Sequence, residues 1–116
     1  MGKGKGVIIE GVSFYYHLNG MGLVAETANV SETAWIGPSA IIRDNAIVSD
    51  NAIVSNNAIV SNNAKISDNA IVFSNAKISG NAKICDTAKI GGNVKVSGRA
   101  TVSGDRIVIE NEIITL

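Results

Sequence analysis

NAIVSDNAIVSNNAIVSNNAKISDNAIVFSNAKISGNAKICD, residues 45–86, is one six-residue unit repeated without a break. Aligned on its aliphatic residue, the frame runs from Thr27 to Gly104, thirteen consecutive hexads. Each unit reads Asn/Thr/Ser (Arg99 in the last), Ala, any residue, Ile/Val, then two more residues, the first of them usually Ser. From Val30 to Val102 the fourth place is Ile or Val in every unit, and Ala stands two places earlier with Val94 the single exception. A strict period of six is neither the 3.6 of a helix nor the plain alternation of a lone strand, so the repeat decides the fold.

A strand alternates its side chains, so the Ala and the aliphatic residue two places on share one face. If each hexad is a short strand plus a corner, three hexads close a triangular coil of eighteen residues. Ile and Val then fill the interior, Ala fits where the corner is tight, and Asn is expected at the bend, because it tolerates left-handed backbone. The reading is all-β: a parallel β-helix of about four to six coils, roughly 20–29 Å tall at about 4.8 Å per layer.

These Asn-Ala-x-Ile/Val hexads resemble the repeat of the hexapeptide-repeat family, whose fold is a left-handed parallel β-helix and whose members include trimeric acyltransferases. The resemblance covers about two thirds of the chain and is specific for fold rather than for function. The uninterrupted array is also similar to those of small bacterial and phage accessory proteins, among which a phage-encoded inhibitor of a host enzyme is one concrete form.

The domain boundaries follow from the frame: a tail and cap over 1–26, the β-helix over 27–104, and closing strands over 105–116. Residues 1–6 alternate Gly and Lys and are expected to be mobile. Val7 to Leu18, VIIEGVSFYYHL, is rich in β-branched and aromatic residues and reads as an irregular first turn, broken at Gly20-Met21-Gly22. At the other end DRIVIENEIITL keeps the frame at Val108 and Ile114, but Arg106 and Glu112 stand where Ala should be. Ile107, Ile109 and Ile113 then face outward, on strands that close the last coil or swap onto a neighbouring subunit.

Stacking at eighteen residues aligns the asparagines in corner columns, such as Asn45, Asn63 and Asn81, where amide-to-amide hydrogen bonds are expected along the axis. The residue before each interior aliphatic points outward. Trp35, Ile41, Ile47, Ile53, Ile59 and Ile71 hold that place in the first half, with Phe73 also outward; Lys65, Lys77, Lys83, Lys89 and Lys95 hold it in the second. The prism is therefore apolar toward one end and basic toward the other. The apolar half points to a contact between subunits, a trimer or dimer, or with a protein partner. Tyr15 and Tyr16 of the cap join that candidate binding set.

Ten basic and ten acidic residues cancel, so no global field points to nucleic acid or an anionic membrane. The lysines spread around the prism rather than gathering on one face, which is how a surface stays soluble and blocks edge aggregation. A single cysteine, Cys85, rules out an internal disulfide and is compatible with the cytoplasmic location expected here. No run approaches the ~20 apolar residues of a membrane span, and no secretory leader is expected.

One histidine in the chain excludes a three-histidine zinc site, and there is no Cys/His cluster, nucleophile elbow or P-loop, so no metal is expected. The acyltransferases this repeat resembles use a histidine base beside a loop extruded from the coils, with acyl-coenzyme A as donor. The thirteen hexads here contain no insertion. His17 is the remaining candidate base, against a plain structural role among Tyr15 and Tyr16. Two readings result. The first is a non-catalytic scaffold that self-associates and engages a macromolecule, without cofactor. The alternative is a small acyltransferase using His17 and acyl-coenzyme A.

Overall fold

In the computed structural model residues 2–115 are described, and they contain strands and turns but no helix. An N-terminal hairpin pairs β1 (Lys3–Ile9) with β2 (Val12–His17), and β3 (Leu23–Ala25) follows. Fifteen two-residue strands then recur at six-residue intervals. They are β4 (Asn29–Val30), β5 (Trp35–Ile36), β6 (Ile41–Ile42), β7 (Ile47–Val48) and β8 (Ile53–Val54); β9 (Ile59–Val60), β10 (Lys65–Ile66), β11 (Ile71–Val72), β12 (Lys77–Ile78) and β13 (Lys83–Ile84); and β14 (Lys89–Ile90), β15 (Lys95–Val96), β16 (Thr101–Val102), β17 (Ile107–Val108) and β18 (Ile113–Ile114).

Every third strand stacks in parallel and in register, Ile66 on Val48 and Ile84 on Ile66, so a coil is eighteen residues and about five coils form a β-solenoid. Three sheets are the sides of the prism. A hairpin face runs β1-β2-β3-β6-β9-β12-β15-β18, a tryptophan face β5-β8-β11-β14-β17, and a lysine face β4-β7-β10-β13-β16. Between repeats the backbone is saturated: Ile47 N–H donates to Ala64 C=O at 2.9 Å and Ser49 N–H to Ile66 C=O at 2.9 Å.

The interior is the fourth-place column plus the alanines. Ile36, Ile42, Val48, Val54, Val60 and Ile66 are fully buried, and so are Ala46 through Ala88 at their six-residue spacing. Burying one such Val or Ile is worth ~1.5–3 kcal/mol, so a coil carrying three of them has the apolar term it needs despite its thin cross-section. Val94 fits where Ala is the rule, with no exposure.

The bend lies one place earlier than the asparagines suggested. In every unit from Asp44 to Gly104 it is the sixth residue that holds φ between +55° and +65°, while the first-place Asn after it is outside that region. Those sixth places are Asp, Asn, Ser or Gly, the residues for which this conformation costs least. The turn is closed across them by Ala52 N–H to Ser49 C=O, 3.3 Å, and by the same bond at each following corner. The sixth place also carries the axial ladder expected of the asparagine amides. Asp50 Oδ2 accepts from Asp68 N–H and Asp68 Oδ2 from Asp86 N–H, each at 3.0 Å, and Asp86 Oδ2 from Gly104 N–H at 2.9 Å. Among the described residues an amide-to-amide bond between first-place asparagines joins Asn93 to Asn111, at 3.2 Å.

Residues 2–6 are not a free tail. Lys3 pairs with His17 and Gly6 with Tyr15 across a bulge, and Leu18 N–H donates to Gly2 C=O at 2.8 Å. Alternating glycines make this possible, since a Cβ at Gly4 would sit 2.7 Å from the Tyr16 carbonyl oxygen. Met1 and Leu116 lie outside the described residues. The hairpin adds two antiparallel strands to one face only, and seven strand intervals at ~4.8 Å give roughly 34 Å, which accounts for the 35 Å long axis. The loop after it crosses the first coil: Gly22 N–H donates to Ile36 C=O at 2.9 Å and Ile36 N–H to Asn19 C=O at 3.0 Å. At the far end β17 and β18 stack on β14 and β15, extending two sides of the prism rather than folding across it.

Replacing Ile66 by Asp strands a charge in the apolar interior, and circular dichroism is expected to show the coils unfolded at 25 °C; a native melting curve would remove Ile66 from the interior. At the corner, Asp68→Ala loses both a left-handed-tolerant residue and the bond to Asp86, and is expected to cost ~1–2 kcal/mol in denaturant titration. Asn69→Ala is expected to cost less, and the reverse order would return the bend to the asparagines.

Candidate functional site

The sites available to this fold are its outward columns, and the three faces differ in what those columns carry. On the tryptophan face the third-place column reads Trp35, Ile53, Ile71, Lys89, Ile107, each in register with the next. Trp35 is 43% exposed and Ile107 61%, while Ile53 and Ile71 are half-buried between their neighbours. The fifth-place column adds Phe73, whose ring lies flat over Gly91: a Cβ at Gly91 would collide with it, and Gly91 is buried beneath. Ile109, two residues past Ile107, is exposed. One side of the prism is thus a level apolar strip from Trp35 to Ile109 interrupted by one charge, Lys89.

Ile41 and Ile59 stack on the hairpin face, continued by Lys77 and Lys95. Ile47 stands on the lysine face, above Lys65 and Lys83. There the columns of Asn45, Asn63, Asn81 and of Ile47, Lys65, Lys83 bound a shallow groove of about 280 Å³. The structure therefore brings Trp35, Ile53, Ile71 and Phe73 together and separates them from Ile41, Ile59 and Ile47.

The cap residues part in the same way. In β2, Tyr15 and His17 point into the core, at 3% and 1% exposure, while Tyr16 is half-buried and faces the other side. Lys3 Nζ lies 4.9 Å above the Tyr15 ring and 3.2 Å from Glu26 Oε1. Burial pushes the Tyr15 phenol above its ordinary range, the Lys3 ammonium opposes this, and the Glu26 carboxylate adds to it. His17 is more enclosed than a place beside two tyrosines implies. Its Nε2 lies 2.9 Å from Ala34 C=O, which fixes the proton on that nitrogen, and its Nδ1 has no partner among the described residues. Asn19 Nδ2 donates to the same carbonyl at 3.0 Å. This imidazole ties the cap to the first coil, and no solvent-facing nitrogen is left for an acceptor to approach.

Among the described residues, one group has the spacing of metal ligands: Asp68, Cys85 and Asp86, with ligand atoms within 4.8 Å of one another. Both carboxylates already spend an oxygen on the corner ladder. Burial pushes the Cys85 thiol up, Asp86 and Asp68 push it further, and Lys83 pulls against them. The eighteen-residue stacking already sets Asp86 over Asp68 with Cys85 beside it, so this grouping was legible in the sequence, where the cysteine was weighed alone. Among the described residues no helix is long and apolar enough to cross a membrane.

A family model described as the YdcK beta solenoid repeat matches residues 46–62 and 94–110. These two stretches lie within the coils and include neither the cap nor Trp35 and Phe73, so what the chain shares with that repeat is the solenoid. No curated protein and no solved structure matches the chain.

A thiol held protonated reacts slowly, because the loss of thiolate outweighs its gain in nucleophilicity. Cys85 is expected to be alkylated by iodoacetamide at pH 8 more slowly than free glutathione. Asp68→Asn with Asp86→Asn, which keeps the ladder acceptors, is expected to speed it. An unchanged rate would mean the two carboxylates do not act on the thiol.

Proposed function

We propose that this protein is a non-catalytic β-solenoid scaffold whose tryptophan face binds a protein partner. The observation that carries the reading is the strip of Trp35, Ile53, Ile71, Phe73, Ile107 and Ile109 on one flat side, with Trp35 43% exposed and Ile107 61%. A contiguous apolar strip with Trp35 at one end and Phe73 near its middle has the composition of an interface, and Trp is among the residues most enriched in those that dominate binding energy. A face whose backbone bonds are satisfied coil to coil loses little freedom on docking, so less of the contact energy is spent on ordering.

The enclosed His17 supports the same choice. A general base must come within hydrogen-bond reach of the group it deprotonates. This side chain is 1% exposed and its Nε2 faces a backbone carbonyl. Its place is that of a strut between the hairpin and the first coil.

Two variants separate the readings. Trp35→Ser with Phe73→Ser is expected to abolish capture, from extracts of the native host, of a protein that the wild type retains, with the coils still folded by circular dichroism at the assay temperature. Equal capture by both would take the partner off this face. Neither the wild type nor His17→Ala is expected to release free thiol from acetyl-coenzyme A, while His17→Ala lowers the melting temperature. Turnover by the wild type that His17→Ala abolishes would make the protein a transferase.

A further inference from the structure

We propose that a second copy of this chain docks on the N-terminal half of the hairpin face, related by a two-fold axis that sets Glu10 of each copy against Arg43 of the other. This surface is separate from the tryptophan face and does not depend on it.

The alternation of β1, β2 and β3 puts a set of apolar side chains on the outer side of the sheet. Ile9 pairs with Val12, Phe14 with Ala25, and Leu23 with Ile41. Where the antiparallel hairpin meets the parallel coils these residues leave a hollow of about 150 Å³, with Ile9, Val12, Phe14, Leu23 and Ile41 as its apolar lining. Phe14 is its floor at 7% exposure, while Ile9 and Val12 stand open at 40% and 46%. Drug-sized ligands occupy pockets of ~300–1,000 Å³, so this hollow suits a single large side chain instead. The exposed Val12 or Ile9 of another copy is such a plug.

The rim carries its own complement. Glu10, in the hairpin turn, and Arg43, just after β6, both line the hollow and both are exposed. In the sheet order β1-β2-β3-β6 they are separated by up to three strand intervals, roughly 14 Å at ~4.8 Å each, and the register, which sets Arg43 level with Ala25, Phe14 and Val7, offsets Glu10 by a further ~10 Å along the strands. No ion pair joins them, and among the described residues the ion pair is that of Lys3 with Glu26. A two-fold axis in the plane of the interface, perpendicular to the line from Glu10 to Arg43 and through its midpoint, exchanges the two ends of the patch. One copy's acid then meets the other's base twice over, as a self-complementary interface requires. Opposite charges flanking an apolar centre set register and speed encounter. The formal net charge of zero adds no long-range repulsion.

Sedimentation equilibrium on the full chain tests this. The wild type is expected to be a dimer at micromolar concentration. Glu10→Arg and Arg43→Glu are each expected to weaken dimerisation about ten-fold or more, and the two together to restore it, since the reversed pairs are again complementary. Val12→Lys, at an exposed strand position, gives an independent reading and is also expected to dissociate the dimer. Trp35→Ser is expected to leave it intact. A wild-type monomer would overturn the proposal, and so would single reversals without effect or a double reversal that stays apart. A dimer dissociated by Trp35→Ser alone would make the tryptophan face the homotypic contact.

Discussion

Each coil of this protein turns three corners, and from the second coil on each corner is turned on one residue with φ near +60° whose neighbours close a turn across it, while the first coil closes the same bond at Glu32 and Pro38 without one. From Asp44 to Gly104 that residue recurs without a gap. The rest follows from it. The turn brings the Ala amide onto the fifth-place carbonyl, as between Ala52 and Ser49, which aims the Ala side chain inward into the packed interior. The next two residues form the strand, one outward and one inward. Because the corner residue is mostly Asp or Asn, its side chain also takes the backbone N–H of the corner one coil on, so Asp50, Asp68 and Asp86 tie successive coils together. Such charge-assisted bonds are stronger than neutral ones, and here they hold exposed backbone that would otherwise depend on water.

This regularity limits what the protein can do and where. A solenoid without insertions has no wall from which to raise a pocket, and its backbone polar groups are used in stacking. Chemistry and recognition are left to the outward columns, which the eighteen-residue period sorts into three separate lists. That sorting gathers Trp35, Ile53, Ile71 and Phe73 on one side and leaves the lysines of the second half distributed, Lys65 and Lys83 on one face, Lys77 and Lys95 on another, Lys89 on the third. The hairpin is the one place where the rule is broken, and both the buried histidine and the apolar hollow lie where it joins the coils.

Most of the coil architecture was legible because side-chain size and period determine it: the alanines, the interior Ile and Val, and the stacking register all follow from six-residue spacing. The placement of the bend was not recovered, although the signal was present. First-place Asn is the more conspicuous column, but the sixth place is restricted to Asp, Asn, Ser and Gly from residue 44 to residue 104, and that restriction is the trace of left-handed backbone. The hairpin was harder to read. Glycine alternating with lysine is common in mobile tails, and only the tertiary pairing of β1 with β2 shows why Gly4, against the Tyr16 carbonyl, has to be small. Tyr15 and Tyr16 are adjacent in a strand, so they point to opposite sides, and only Tyr16 remains at the surface.

The central claim is that the corners and interior only hold the prism while its outward columns carry the function. A complete single-substitution scan, scored in parallel for protein abundance and for biological effect in the native host, tests it most directly. Substitutions at the sixth places, at the interior column and at His17 are predicted to lower effect only as far as they lower abundance. Those at Trp35, Ile53, Ile71 and Phe73 are predicted to lower effect with abundance intact. If His17, or the Asp68, Cys85 and Asp86 group, were required for effect at full abundance while the tryptophan face tolerated change, the account would be contradicted.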